Sequence, residues 1–182
     1  MIQFPIHTLE TAPEQSKPGL ESMQAAFGFL PNIAGAIANS PVLIDCLVGL
    51  FGKVHGGSFS EPQIQVLLLT NAVTNASAWA AAFHSHIALE QGISQEDVAA
   101  IRRGGAPKDA KVAALSILAK TLIEKRGHLD DEDLQHFTDA GFSRELALEV
   151  VAVVAASTIT NYAGTLASPP LEETFQPHQW SA

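Results

Sequence analysis

Two apolar segments follow one another between residues 60 and 92, separated by a short polar break at residues 74–77. The first, residues 64–73, is apolar on almost every side of a helical wheel, which is typical of a helix buried all round. The second, residues 78–91, is followed by Gly92, a residue that suits the C′ position of a helix. Such a pair has to be surrounded by other elements. The sequence therefore predicts a core of two antiparallel helices within a multi-helix bundle.

Helix-start signals recur along the rest of the chain. Ser40 precedes a proline, and Ser60 precedes Gln63 by three positions, which is the pattern of a capping box. No segment alternates between apolar and polar residues for long enough to form a strand, so we predict an all-α protein. Besides the core pair, helices are predicted over residues 19–27, 41–54, 95–103, 109–125, 130–139 and 144–166.

The ends of the chain carry weaker signals. Residues 1–18 contain three prolines and are predicted to be an extended lead-in arm, and residues 167–182 follow a proline pair and are predicted to be a C-terminal arm. A length of 182 residues suits one domain spanning residues 1–182.

Composition excludes several classes of function. The chain is 47% apolar with a net charge of −9, and its largest basic cluster is Arg102-Arg103, so we expect no nucleic-acid binding. The longest unbroken apolar run, residues 150–156, is far shorter than the roughly 20 residues of a membrane span. The first ten residues lack the features of a secretory leader, so we expect a cytoplasmic protein without membrane contact.

The only cysteine, Cys46, excludes both a disulfide within the chain and a CxxC redox pair. Because Cys46 lies in an apolar run, it is predicted to be a buried, inert thiol. The segments 64–73 and 144–166 are each apolar nearly all round, and one chain of this size is expected to bury only one such helix fully. We therefore expect a homo-oligomer (a dimer, trimer or hexamer) that buries apolar surface between subunits.

Several segments, taken in order, resemble a known family. These are PNI at residues 31–33, the start of a helix at Ser40-Pro41, GISQEDVAAIRRG from Gly92, KRGHLDDEDLQHF from Lys125, and AGFSRELALEVVAVVA from Ala140. Together with the core helix pair, they are similar to the carboxymuconolactone decarboxylase superfamily, and within it to the alkylhydroperoxidase D-like, "peroxidase-related" branch. The resemblance covers most of the chain. It implies an alkylhydroperoxidase D-like helical fold and a function related to antioxidant peroxidases.

Redox members of that family carry a Glu on the first core helix, a CxxC motif twelve positions later, and a His four positions after the second Cys. The resemblance places these four positions at Gln65, Ser77, Ala80 and His84, so only the histidine is retained. A thiol peroxidase needs a thiolate and a resolving thiol, and neither Ser77 nor Ala80 can supply them. We therefore predict that the chain lacks CxxC-dependent peroxidase activity.

His84, as a candidate for proton transfer, is expected to lie with Gln65 and Ser77 in a residual pocket that binds or transforms a small molecule. Ser77 is not expected to be a nucleophile activated by His84, because seven helical residues separate them by ~10 Å. His84 and His86 lie on different faces of a helix, so no metal site and no cofactor are predicted. Further pocket candidates are Ala80, Asn71, Asn75, Trp79, His86 and Asn161.

Two alternatives remain open from the sequence. One is a non-catalytic oligomeric scaffold or interaction protein that kept the fold after losing the redox site. The other is an enzyme similar to the lactone decarboxylases of the superfamily. An open, polar pocket at His84 favours a small-molecule function, whereas a pocket filled by Trp79 and Phe83 favours a scaffold.

Overall fold

The computed structural model describes residues 4–182, so the first three residues of the predicted lead-in lie outside the described residues. The described chain is helical and contains no strand, as the sequence predicts. The helices are α1 Lys17–Phe27, α2 Asn32–Ile37, α3 Pro41–Val54, α4 Glu61–Thr74, α5 Ala78–Glu90, α6 Gln95–Arg102, α7 Ala110–Glu124, α8 Asp131–Asp139 and α9 Leu146–Ala167, with short 3-10 helices at Glu14–Ser16 and Glu173–His178.

The antiparallel pair α4 and α5 forms the centre of the bundle. Helix α4 packs against α5, α6, α7 and α9, and its residues from 64 to 72 are all buried. Its start follows the predicted capping box, since the Ser60 N–H donates to Gln63 Oε1 at 2.9 Å. Helix α5 ends in a Schellman motif: Gly92 has a φ of +84°, and Ile93 N–H donates to the Ala88 carbonyl at 3.0 Å.

Helix α9 is longer than the other helices and packs against α2, α3, α4, α5 and α7. It begins at Leu146 rather than at the predicted Arg144, because residues 143–146 form a tighter turn in which Leu146 N–H donates to the Ser143 carbonyl at 3.1 Å. By length and composition alone, α9 is long and apolar enough to cross a membrane, with a mean hydropathy of 1.5. The unbroken apolar run within it is short. Only 33% of its most apolar window is buried, so one face packs inside the bundle and another is exposed.

The described residues of both predicted arms lie against the helical bundle. In the lead-in, His7 N–H donates to the Gly35 carbonyl at 3.1 Å. In the tail, the Phe175 ring is 2% exposed and packs edge-on to Phe83, and Arg102 donates to the His178 carbonyl at 2.9 Å. The C-terminal segment therefore covers α5, because its aromatic side chain has an apolar surface to bury there.

The prediction for Cys46 is wrong, because this thiol is exposed. Helix α3 buries a single stripe that contains Ile44 and Leu47, and position 46 lies outside that stripe. The apolar run around Cys46 misled the prediction because α3 also has apolar residues on its outer face, such as Val42, which is 73% exposed.

Candidate functional site

A cavity of about 490 Å³ lies between α1, α3 and α5, next to the central helix pair. Most of its wall is apolar, and three ionisable side chains, His55, Glu61 and His84, also line it. The apolar part of the wall is formed by Met23, Ala26 and Phe27 of α1, Pro31, Ile33, Leu47, Val48 and Phe51 of the segment that ends in α3, and Trp79 and Phe83 of α5. This size and composition are typical of small-molecule sites.

A row of hydrogen bonds joins the three ionisable side chains through Gln65. The His55 ring contacts Glu61 with 2.8 Å between Nδ1 and Oε2, and Gln65 Nε2 donates to Glu61 Oε1 at 2.6 Å. At the other end, His84 Nδ1 lies 2.9 Å from Gln65 Oε1. The His55 and Glu61 side chains are 36% and 38% exposed, whereas His84 is 4% exposed. The row therefore leads from solvent into the protein interior.

The direction of each hydrogen bond follows from the charge on Glu61. The hydrogen bond from His55 is the largest of the effects that lower the pKa of Glu61, so this carboxyl is ionised and can only accept. The Gln65 NH₂ must then face Glu61, which leaves the Gln65 carbonyl oxygen to accept from His84. His84 therefore carries its proton on Nδ1, and Nε2 keeps a lone pair without a partner in the described part of the chain.

Burial strongly lowers the pKa of His84, to about 3. The charge of His55 lowers it further, and Glu61 opposes both effects. At neutral pH the His84 side chain is thus uncharged, and in this state it is a hydrogen-bond acceptor toward the cavity.

The aromatic side chains Trp79 and Phe83 form a wall of the cavity and do not fill it. Their rings stack with centroids 5.0 Å apart, and Phe27 meets Phe83 edge-on at 5.5 Å. Trp79 is anchored from behind, because its Nε1–H donates to Glu172 of the C-terminal segment at 3.0 Å. The space beside His84 is open rather than filled, as the small-molecule alternative expects, but its wall is mostly apolar rather than polar.

Ser77, Ala80 and Asn75 do not line this cavity. Ser77 is the N-cap residue of α5 but makes no capping hydrogen bond with its side chain, and its Oγ lies 3.6 Å from the position of a Cβ on Gly164. Ala80 is fully buried. Asn75 donates to the Asn71 carbonyl at 2.9 Å and lines a separate groove beside α9.

His86, Asn71 and Asn161 also lie apart from the cavity wall. The His86 ring contacts Glu90 at 3.2 Å and the edge of Phe175, under the C-terminal segment. Asn161 is buried and donates to Ser157 at 3.2 Å, while its Oδ1 has no partner among residues 4–182. Asn71 is buried within α4, and neither polar atom of its side-chain amide has a partner in the same range. The structure thus places Trp79 and His84 on the cavity wall and Gln65 outside the lining, hydrogen-bonded to His84, and leaves the other candidates elsewhere.

Neither Glu61 nor His55 is among the candidate site residues named from the sequence. One signal for Glu61 was available, since Glu61 and Gln65 are four residues apart and so share a helix face. No comparable signal exists for His55, because its contact with Glu61 depends on how the α3–α4 turn folds back.

No family model and no curated protein matches the sequence. Solved structures do match. An uncharacterized peroxidase-related protein from Ralstonia eutropha JMP134, described as an alkylhydroperoxidase AhpD core, has a TM-score of 0.82 at 15% identity, over 95% of this chain and 93% of that chain. An uncharacterized peroxidase-related protein from Silicibacter sp. TM1040 has a TM-score of 0.76 at 15% identity, over 96% and 92%.

The debrominase Bmp8 is also similar, with a TM-score of 0.73 at 20% identity, over 91% of this chain and 90% of that chain. Its cysteine-to-alanine variant in complex with 2,3,4-tribromopyrrole has a TM-score of 0.74 at 19% identity, over 98% and 95%. These similarities establish that the chain has the alkylhydroperoxidase D-like fold, as the sequence predicts. Identities of this size show the fold alone, and function has to be argued from the site.

The buried His84 should make the protein less stable in acid. Its pKa is about 3 when folded and about 6.5 when unfolded, so between these pH values the unfolded chain binds a proton that the folded chain does not. The free energy of unfolding should therefore fall as the pH drops from 6.5 toward 3, by about 1.4 kcal/mol per pH unit from this residue alone. In His84→Gln this contribution should vanish, which urea denaturation at a series of pH values would measure.

His128→Gln is the control, because His128 is exposed and lies outside the cavity. Equal pH slopes for the wild-type protein and His84→Gln would contradict the assignment of His84 as a buried, neutral histidine.

Proposed function

We propose that this chain is a small-molecule-binding protein with an alkylhydroperoxidase D-like fold, which holds a mainly apolar, planar ligand with an N–H or O–H group. The observation that carries the proposal is that His84, whose Nε2 has no partner among residues 4–182, lines a mainly apolar cavity. A ligand that donates to this nitrogen satisfies a buried acceptor, while its ring packs against Trp79 and Phe83. Because its pKa is about 3, His84 is better suited to accept a hydrogen bond than to remove a proton from a weak acid.

The choice of ligand class is supported by the cavity and by one similar structure. The wall carries stacked aromatic rings and no Lys or Arg side chain, so it suits an uncharged aromatic molecule better than an anion. For the same reason we do not extend the lactone decarboxylase alternative, whose acidic substrate would need a cationic partner. The debrominase variant was solved with a halogenated pyrrole, a ring that carries one N–H, and this compound is a suitable probe.

We also propose that the chain lacks CxxC-dependent peroxidase activity. Cys46 is the only thiol, it lies on the exposed face of α3, and it does not line the cavity. The residues at the family's two cysteine positions, Ser77 and Ala80, are buried and cannot replace a dithiol.

Binding of 2,3,4-tribromopyrrole should quench the fluorescence of Trp79. The variant Trp180→Phe leaves Trp79 as the only tryptophan and is the background for the titration. His84→Phe keeps an aromatic side chain but removes the acceptor, so we expect at least a tenfold loss of affinity, about the value of one buried hydrogen bond. The matched control, His86→Phe, should bind like the background protein. Equal affinity of the two variants would refute the role of His84.

A thiol-dependent assay of hydrogen peroxide consumption should show no turnover above that of the assay mixture without protein. The physical reason is the absence of a resolving thiol near the single cysteine. Turnover in the wild-type protein would contradict this prediction. If it disappears in Cys46→Ala it belongs to Cys46, and if it persists in this variant, which has no cysteine, it belongs to another site.

The exposed face of α9 favours a second role, as a self-associating protein. The exposed residues Leu148, Val151, Ala155, Tyr162 and Leu166 form an apolar stripe along this helix. The stripe is nearly symmetric about Ala155: in an antiparallel pair of α9 helices, Leu148 of one copy would meet the partner's Tyr162. The small side chain of Ala155 at the centre permits close approach. We propose that two copies associate through this face.

Ala155→Glu places a charge at the centre of the stripe and should convert the proposed dimer to a monomer, as measured by light scattering after size-exclusion chromatography. Ala25→Glu, on the exposed side of α1, is the matched control and should not change the mass. A monomeric wild-type protein, or a dimer unaffected by Ala155→Glu, would rule out this interface.

A further inference from the structure

We propose that Glu61 is a positioning residue that determines which ring nitrogen of His84 carries the proton, and that it thereby makes the cavity select ligands that donate a hydrogen bond over ligands that accept one. The effect of Glu61 on the tautomer of His84 is a property of the ligand-free protein. The effect of this tautomer on ligand selectivity rests on the proposed function. Glu61 has no counterpart in the redox signature that the sequence resembles, in which the carboxylate stands one helical turn further along, at the position of Gln65.

Glu61 is held in place at both carboxylate oxygens. Oε2 accepts from the His55 ring at 2.8 Å, and Oε1 accepts from Gln65 Nε2 at 2.6 Å. The His55 ring is itself stacked on Phe51 of α3, with centroids 5.9 Å apart. The carboxylate therefore has a defined position at the edge of the cavity, and only one of its oxygens is directed at Gln65.

This carboxylate determines the orientation of the Gln65 amide. A flipped amide would bring the Gln65 carbonyl oxygen against Glu61 Oε1, so that two acceptors face each other at hydrogen-bond distance. The flip would also replace the charge-assisted hydrogen bond between Gln65 and Glu61 by a repulsive contact, and charge-assisted hydrogen bonds are stronger than neutral ones. Gln65 consequently presents its carbonyl oxygen to His84 and cannot present its NH₂.

The orientation of Gln65 in turn determines the tautomer of His84. The Gln65 oxygen, 2.9 Å from Nδ1, can only accept, so the proton stays on Nδ1 and Nε2 keeps its lone pair. Because His84 lines the cavity and Nε2 has no partner among residues 4–182, we infer that this lone pair is available to a ligand there. A glutamine at position 61 could either donate or accept. Both orientations of the Gln65 amide, and both tautomers of His84, would then be satisfied.

The tautomer decides which ligands fit. A ring N–H or O–H pairs with the bare Nε2, whereas a ligand without a donor leaves this buried nitrogen unpaired. Sites that pair with a donor group on one ligand discriminate against its analogue without the donor, because the buried polar group of the protein is then left unsatisfied. The N-methyl derivative of the probe has no donor at the ring nitrogen and carries an additional methyl group there.

The tautomer can be measured without a ligand, in protein labelled with ¹⁵N-histidine. Long-range ¹H–¹⁵N correlation spectra at neutral pH distinguish a protonated from a bare ring nitrogen, and His84→Phe identifies the signals of His84. We expect Nδ1–H and a bare Nε2 in the wild-type protein, and a mixture of both tautomers or the Nε2–H form in Glu61→Gln. Glu90→Gln removes the carboxylate beside His86 and is the control, which should leave the signals of His84 unchanged.

Gln65→Leu provides a second variant should Glu61→Gln fail to fold as judged by circular dichroism. It removes the bridging amide and should release the tautomer in the same way. Nε2–H in the wild-type protein, or an unchanged Nδ1–H tautomer in a folded Glu61→Gln, would overturn the proposal. An unchanged tautomer in Gln65→Leu would do so as well.

The consequence for selectivity is tested with 2,3,4-tribromopyrrole and its N-methyl derivative, by the fluorescence titration in the Trp180→Phe background. We expect the N–H compound to bind at least tenfold more tightly than the N-methyl compound, and Glu61→Gln to reduce this ratio severalfold. If neither compound binds, the proposed function fails, and the effect of Glu61 on the tautomer still stands on the spectra. If Glu61→Gln changes the tautomer of His84 but leaves the ratio of the two affinities unchanged, the proposed effect of Glu61 on ligand selectivity is wrong.

Discussion

The near-complete burial of α4 is the constraint on which the site depends. A helix surrounded by α5, α6, α7 and α9 keeps its polar side chains from water, so pairing inside the protein stabilises them, although the Asn71 amide on the same helix has no partner among residues 4–182. Gln65 pairs with His84 on one side and with Glu61 on the other. The packing of α4 against α5 therefore creates the contact between Gln65 and His84 as well as the core of the bundle.

The amide at position 65, where the resembled redox signature has a carboxylate, determines the electrostatics of the site. A carboxylate at this position would stabilise a protonated His84, whereas the neutral Gln65 leaves burial to dominate and to lower the pKa of His84 to about 3. The nearest carboxylate, Glu61, lies one helical turn away and is partly exposed to solvent. The result is a neutral hydrogen-bond acceptor in the wall of a mainly apolar cavity.

Elements distant in sequence build the cavity around this acceptor. Helices α1 and α3 supply the opposite wall, and the C-terminal segment holds the stacked rings of α5 from behind through Glu172 and Phe175. The segment predicted to be an arm is thus part of the support of the site. Its aromatic side chain and its hydrogen bond to Trp79 restrict the rings that a planar ligand would contact.

The sequence by itself determined the helical class and the central α4–α5 pair, because these follow from local periodicity and capping residues. It also placed the capping box at Ser60 and the helix end at Gly92 correctly. The exposure of Cys46, the docking of the C-terminal segment and the contact between His55 and Glu61 were decided only by the tertiary structure. Each depends on which face of a helix turns inward or on which distant segments meet, and an apolar run or a turn residue read in isolation does not contain that information.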